Sequence, residues 1–209
     1  MYTRRQFLSA LAATPLAANA LANNDPIGMA GPYGNPRKAW VEKPDHIRQN
    51  CHSFCWAASI AIIFSAHGHP IHQDRIAMSM FGTLTCQPAK TTSFIGSALS
   101  RDWIDDNGVP FSSQVTGAYD VENGIYSLNN AMVIDELSNN SPLMICNLTH
   151  AMVLVVVDYF DTPMGPNVQG VGVLDPYPLS PAFHYLSPEE YTPAHLGGQL
   201  RFLGRVRVF

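Results

Sequence analysis

The sequence predicts an α+β domain built as two segregated layers, helices first and strands second. Two observations carry this. From residue 55 to about residue 138, apolar residues recur at helical spacing in four segments bounded by glycine, proline and asparagine. From residue 143 onward they gather into valine-rich runs and a closing alternating segment, the patterns of buried and half-buried strands.

Residues 23–48 hold Asn23-Asn24-Asp25-Pro26, Gly31-Pro32, Gly34, Asn35-Pro36 and Pro44. These are turn and breaker signals without periodicity, and they read as an extended N-terminal arm with a short strand near Trp40-Val41. The first helix starts at Cys55. Trp56, Ile60, Ile63 and Phe64 fall at helical spacing, and Ala57, Ala58, Ala61 and Ile62 fill most of the remaining face, so this helix is central and buried. Ser53 is its expected N-cap, which sets Cys55 in the first turn. Gly68 and Pro70 end it. A second helix is predicted at about 72–81, ended by Gly82. A third is predicted at about 93–105, with Phe94, Ala98, Leu99 and Trp103 inward, and a fourth at about 128–138, ended by Asn139-Asn140-Ser141-Pro142.

Strands follow at 143–148, 152–159 and 171–174. Ser187-Pro188-Glu189-Glu190 is a capping box with proline at the first helical position, so a short helix starts there. The last strand, 200–209, turns Arg201, Arg205 and Arg207 one way and Phe202, Val206 and Val208 the other. The arginines read as the wet face of an edge strand.

The start of the chain is set apart from the fold. Arg4-Arg5 precede Phe7-Leu8, an alanine- and leucine-rich run follows, and Ala18-Asn19-Ala20 and Ala20-Leu21-Ala22 supply small-residue cleavage patterns. Residues 1–22 are therefore read as an export signal, and the paired arginines as the twin-arginine type. This predicts a bacterial protein that is periplasmic or secreted and has the twin-arginine machinery as a partner. Removing this segment takes the formal charge from −4 to −6. A mildly acidic chain without basic runs offers nothing to nucleic acid or to an anionic membrane. No mature segment approaches the roughly 18 apolar residues of a membrane span. With 13 % charged and 46 % hydrophobic residues, the remainder is one globular domain, 49–209, preceded by the arm.

The chemistry concentrates at Gln49-Asn50-Cys51-His52-Ser53-Phe54-Cys55-Trp56. A cysteine in the first turn of a helix sits at the positive end of the macrodipole, which favours thiolate, the nucleophile of acyl transfer. Gln49, six residues earlier, can fold back so that its amide and the Cys55 N–H serve an oxyanion. This spacing, glutamine, five residues, then Cys-Trp opening a central helix, resembles the nucleophile motif of the papain-like cysteine peptidases. The glycines usual between them are absent. The match is therefore closer to the short bacterial branches, the effector cysteine proteases of plant pathogens and the peptidase domains of bacteriocin exporters, whose order is Cys, His, Asp.

That resemblance implies further assignments. His150, at the His-Ala step before a valine-rich strand, is the base. Asp175, at an Asp-Pro step ending the next strand, orients it. If those strands are antiparallel neighbours, the start of one meets the end of the other. A papain-like fold is implied, with a helical layer carrying Cys55 and an antiparallel sheet carrying His150 and Asp175. The implied activity is hydrolysis of a peptide or protein substrate, with no cofactor and no metal. The same thiol also suits a cell-wall amidase or transpeptidase, and the missing glycines leave open a binding module that keeps the scaffold without turnover.

Other residues are assigned blander roles. His67, His69 and His72 lack the carboxylate or cysteine spacing of a metal site and read as a solvated loop. Asn147-Leu148-Thr149 has the form of a glycosylation acceptor, which a bacterial export signal makes irrelevant. Four cysteines in an exported protein suggest two disulfides. A twin-arginine substrate, however, folds in the reducing cytosol, so its fold is expected not to depend on them. Cys51 has two candidate partners, Cys86 and Cys55.

Overall fold

The structure is a computed structural model and describes residues 35–209; residues 1–22, read above as an export signal, and residues 23–34 of the expected arm lie outside the described residues. The elements in chain order are β1 (Arg37–Trp40), α1 (Cys55–Ala66), α2 (Gln73–Phe81), α3 (Thr92–Ala98), β2 (Arg101–Ile104), β3 (Pro110–Asp120), β4 (Ile125–Tyr126), α4 (Asn130–Ser138), β5 (Leu143–Cys146), β6 (Ala151–Phe160), β7 (Asn167–Leu174), β8 (Phe183–Tyr185), α5 (Pro188–Tyr191), a 3-10 turn (Ala194–Leu196) and β9 (Phe202–Val208).

The strands form one antiparallel sheet in the order β2-β3-β9-β5-β6-β7-β8, with β1 on β6 and β4 on β3. The α+β class therefore holds, but the order of elements is less segregated than the sequence predicts. The expected third helix stops at Ala98, and 101–104 is a strand paired with 110–113. Trp103 is buried from that strand and meets Phe64 edge-on. Apolar spacing over so short a run does not separate helix from strand, and the pairing of Trp103 with Phe111 decides it.

The last strand is also not an edge. β9 lies between β3 and β5, and its two arginines, Arg205 and Arg207, turn to Glu136 on α4 while keeping some access to water. Arg205 and Arg207 hold the fully buried Glu136 carboxylate at 2.8 and 2.7 Å. An isolated buried carboxylate is prohibitively costly, so two guanidiniums on one strand face are the condition for Glu136 to be there.

Two helices cover the sheet from opposite sides. Leu143, Ile145, Leu154 and Leu203 point toward α4, and several of them join Val133 around a small apolar cavity of about 40 Å³. The alternate residues face α1, which packs on β5 and β6. α1 is buried from Trp56 to Phe64 because α2 covers its outer side. Phe64 meets Phe111, and Trp56 meets Phe81 and Phe94 at T-shaped geometry.

The described part of the arm is built into this frame. Val41 N–H donates to the Val155 carbonyl at 2.9 Å, and Ser65 Oγ donates to Asp45 at 2.8 Å. Of the three histidines after α1, His72 is exposed as expected, but His67 and His69 are partly buried. His69 stacks on Phe111 and meets Asp105 at 3.3 Å, and His72 caps α2 by accepting from Asp74 N–H. Burial lowers the pKa of His67. No helix of the described residues is long and apolar enough to cross a membrane.

Candidate active site

Cys55 is the first residue of α1. Phe54, not Ser53, is the N-cap, no side chain hydrogen-bonds the first turn, and no acidic residue lies in it. The helix thus presents unsatisfied N–H groups and its positive dipole end at the Cys55 thiol. Three ties shape the approach to it. Phe54 N–H donates to the Cys51 carbonyl at 3.0 Å, Trp56 Nε1 donates to the Gln87 carbonyl at 3.1 Å, and Cys51 is disulfide-bonded to Cys86. Of the two partners open to Cys51, the fold selects Cys86, and Cys55 is a free thiol, half-buried.

His150 sits on the turn between β5 and β6. Asn147 makes that turn: its Oδ1 accepts from Thr149 N–H at 3.2 Å and His150 N–H at 3.0 Å, and its own N–H donates to the His150 carbonyl at 3.0 Å. β6 and β7 are antiparallel with Val153 opposite Leu174, so the start of one and the end of the other share a sheet end. His150 Nε2 donates to Asp175 Oδ1 at 2.6 Å. The same oxygen accepts from Tyr177 N–H at 2.8 Å, and the Tyr177 ring stands edge-on to the imidazole.

The Asp175 loop is clamped from the arm. Arg48 Nη1 donates to the carbonyls of Tyr177, Pro178 and Ser180 at 3.0, 2.8 and 3.3 Å. His46 Nε2 donates to the Asp175 carbonyl at 2.7 Å, and Gln49 N–H to the Pro176 carbonyl at 2.8 Å. One stretch of four residues therefore fixes the carboxylate loop and leads directly into the turn that carries the cysteine.

Electrostatics follow from this placement. Burial alone would lower the pKa of His150. The hydrogen bonds and charges of Asp175 and Cys55 outweigh it and raise the imidazole from 6.5 to about 9. Nε2 is engaged by Asp175, which leaves Nδ1 as the nitrogen free to serve Cys55. Asp175 is buried, which would raise its pKa, but the His150 and Tyr177 hydrogen bonds hold it below the usual carboxylate range. Burial pushes the second free thiol, Cys146, well up; it lies on the sheet face toward Cys55, within its electrostatic reach.

Gln49 is buried beside the nucleophile turn. Its Nε2 donates to the carbonyls of Cys51 and His52 at 3.0 and 2.9 Å, and its Oε1 is buried without a protein partner. Exchanging the two ends of the amide would set oxygen against two carbonyls, so this orientation is the favoured one. Both donors are engaged with the turn. The Cys55 N–H has no protein acceptor among the described residues.

All four sequence-singled residues converge on this end of the sheet and helix. Sequence reasoning missed Arg48, His46 and Asn147. An Asn-x-Thr turn before a strand was a legible signal for Asn147; nothing local marks Arg48 or His46. A wider groove of about 960 Å³ lies elsewhere, lined by Arg75, Met78, Trp103, Phe111 and Phe209 among others, and neither a thiol nor an imidazole lines it. Volume is a weaker guide to chemistry than a thiol, imidazole and carboxylate in series. No protein-family model matches the chain, and no curated protein shows a significant match to it.

Proposed function

We propose that this chain is an exported thiol-dependent peptidase of papain-like type, acting through Cys55, His150 and Asp175. The observation that carries the reading is the convergence on one imidazole: His150 is bonded to Asp175 by Nε2 at 2.6 Å, which leaves Nδ1 for the Cys55 thiol, itself close enough to raise the imidazole pKa and set at an uncapped helix terminus.

In the proposed reaction the Cys55 thiolate forms a C–S bond to the substrate carbonyl carbon, and the carbonyl π electrons move to oxygen. The Cys55 N–H receives that oxyanion. Gln49 joins it when one amide hydrogen leaves its turn carbonyl. Collapse breaks the C–N bond, and the proton on His150 Nδ1 goes to the leaving amine. Water then gives a proton to Nδ1, attacks the thioester carbon and releases the acid as the C–S bond breaks. Asp175 keeps Nε2 protonated and Nδ1 toward sulfur throughout.

The test is incubation of the purified mature chain with unfolded protein and a mixed peptide library, with new termini identified by mass spectrometry. New termini are expected with the wild type and none with Cys55→Ala. Equal products from both would remove Cys55 from the reaction. Amide transfer to an added amine acceptor instead of water would move the reading to a transpeptidase, and intact substrate with the wild type would move it to a binding module.

A further inference from the structure

Outside the triad, Cys51, His52 and Cys86 form a cluster of metal-ligating groups among the described residues. Each offers one ligand atom, and these atoms lie within 4.8 Å of one another. His52 Nδ1 is 3.4 Å from Cys86 Sγ. His52 and Cys86 are exposed and Cys51 is half-buried, so this disulfide is open to solvent. Exposed bridges are the ones that reductants reach.

The spacing suits a metal once the bridge is open. Tetrahedral zinc bonds sulfur at about 2.3 Å and imidazole nitrogen at about 2.0–2.1 Å, which sets sulfur and nitrogen about 3.5 Å apart and two sulfurs about 3.8 Å apart. The His52–Cys86 separation is already at the first of these values. The two sulfurs, about 2.05 Å apart in any disulfide, have under about 2 Å to move. Cys86 lies in residues 82–91, which form no helix or strand and are mostly exposed, so that shift disturbs little packing. Two thiolates and an imidazole form a borderline-soft donor set of the kind that zinc takes.

We propose that reduction of the Cys51–Cys86 disulfide opens a Cys51–His52–Cys86 site for a zinc ion, with water in the fourth position. A dithiol reductant supplies two electrons and two protons, the S–S bond breaks, and the reductant becomes a disulfide. Zinc then binds the two sulfurs, whose protons pass to solvent, and neutral His52 through Nδ1. In the oxidised protein the sulfurs are bonded to each other and uncharged, and the site is closed. The same three side chains therefore hold either a bridge or a cation, according to the redox state around them. The proposal does not depend on the peptidase reading.

The test uses the full mature chain, reduced, freed of reductant under argon and titrated with Co²⁺ as a spectroscopic stand-in for zinc, with far-UV circular dichroism to follow the fold. Expected are sulfur-to-cobalt charge-transfer and tetrahedral d–d bands saturating at one ion per chain. They should be displaced by Zn²⁺, absent in the oxidised protein, abolished in Cys86→Ser, weakened at least tenfold in His52→Ala and retained in Cys55→Ser. The proposal is overturned by absent bands, by bands indifferent to His52→Ala, by bands lost in Cys55→Ser, or by loss of the fold on reduction.

Discussion

His150 Nε2 and Asp175 Oδ1 stand 2.6 Å apart across the shared end of two antiparallel strands, and the carboxylate also accepts from Tyr177 N–H. The imidazolium is stabilised to about pH 9 by this contact and by Cys55. The pH dependence of the site should therefore be governed by Asp175.

Asp175→Asn removes the charge and keeps an acceptor. The alkaline limb of peptide turnover, expected near pH 9 in the wild type, should move down, and kcat should fall on the order of 10²-fold or more. The pH–rate profile of turnover reads the limb directly. An unmoved limb would separate Asp175 from the imidazole.

Stability should carry the same signature. The folded pKa of His150 is above its ordinary 6.5, so its contribution is complete below about 6.5 and lost as pH rises through about 9. The folded pKa of Asp175 is below its ordinary 3.8, so its contribution is present above that value and lost as pH falls below it. Urea unfolding of wild type and His150→Gln at pH 6 and pH 10 should show the gap between the two proteins closing at the higher pH. A constant gap would mean that the imidazolium is not stabilised by its surroundings.

Arg48→Ala deletes the donor shared by three carbonyls of the Asp175 loop. Arg48 is exposed, so global stability should change by no more than about 1 kcal/mol. A loop carrying the carboxylate proposed to orient the base is sensitive to small shifts. kcat should fall about 10- to 100-fold with KM nearly constant, and the alkaline limb should move down as in Asp175→Asn. Arg48→Lys, a single donor on a flexible stem, should restore part of the loss. Full activity in Arg48→Ala would show that the loop holds itself.

Glu136→Ala leaves Arg205 and Arg207 without their shared acceptor on the α4 face. Both guanidiniums retain some access to water, so the expected loss is about 2 kcal/mol, below the range for a fully buried orphan charge. That corresponds to a Tm lower by about 4–8 °C, read by calorimetry. Cys55 reactivity at 25 °C should be unchanged, because α4 and α1 lie on opposite sheet faces.

Cys51→Ser/Cys86→Ser opens a loop of 35 residues. Chain entropy places the loss at about 3–4 kcal/mol. The double variant should remain folded on that scale and unfold at lower urea, with Cys55 labelling slower because its turn is no longer tied to the 82–91 segment. An unchanged urea midpoint would mean that the unfolded chain gains nothing from losing the bridge.

Much of this fold was legible locally, because the responsible forces act within a few residues. The all-apolar helix from Cys55 and the stop at Gly82, which adopts φ 75°, follow from side-chain spacing and backbone sterics. So does the capping-box helix at Pro188, where Ser187 N–H donates to the Glu190 carboxylate at 2.8 Å. The order of Gln49, Cys55, His150 and Asp175, each at a helix start, turn or strand end, was also readable, since such junctions are written in adjacent residues.

Tertiary structure decided what depends on partners distant in sequence. Whether 101–104 is helix or strand turns on Phe111 and its neighbours, and whether the β9 arginines meet water or Glu136 turns on strand order. Arg48 acquires its role from carbonyls some 130 positions away, and Cys51 its partner from a loop 35 residues on. The sequence determined which groups are chemically able to act. The antiparallel pairing of β6 with β7 determined that His150 and Asp175 meet, because a hydrogen-bonded register brings strand ends together that no local periodicity connects.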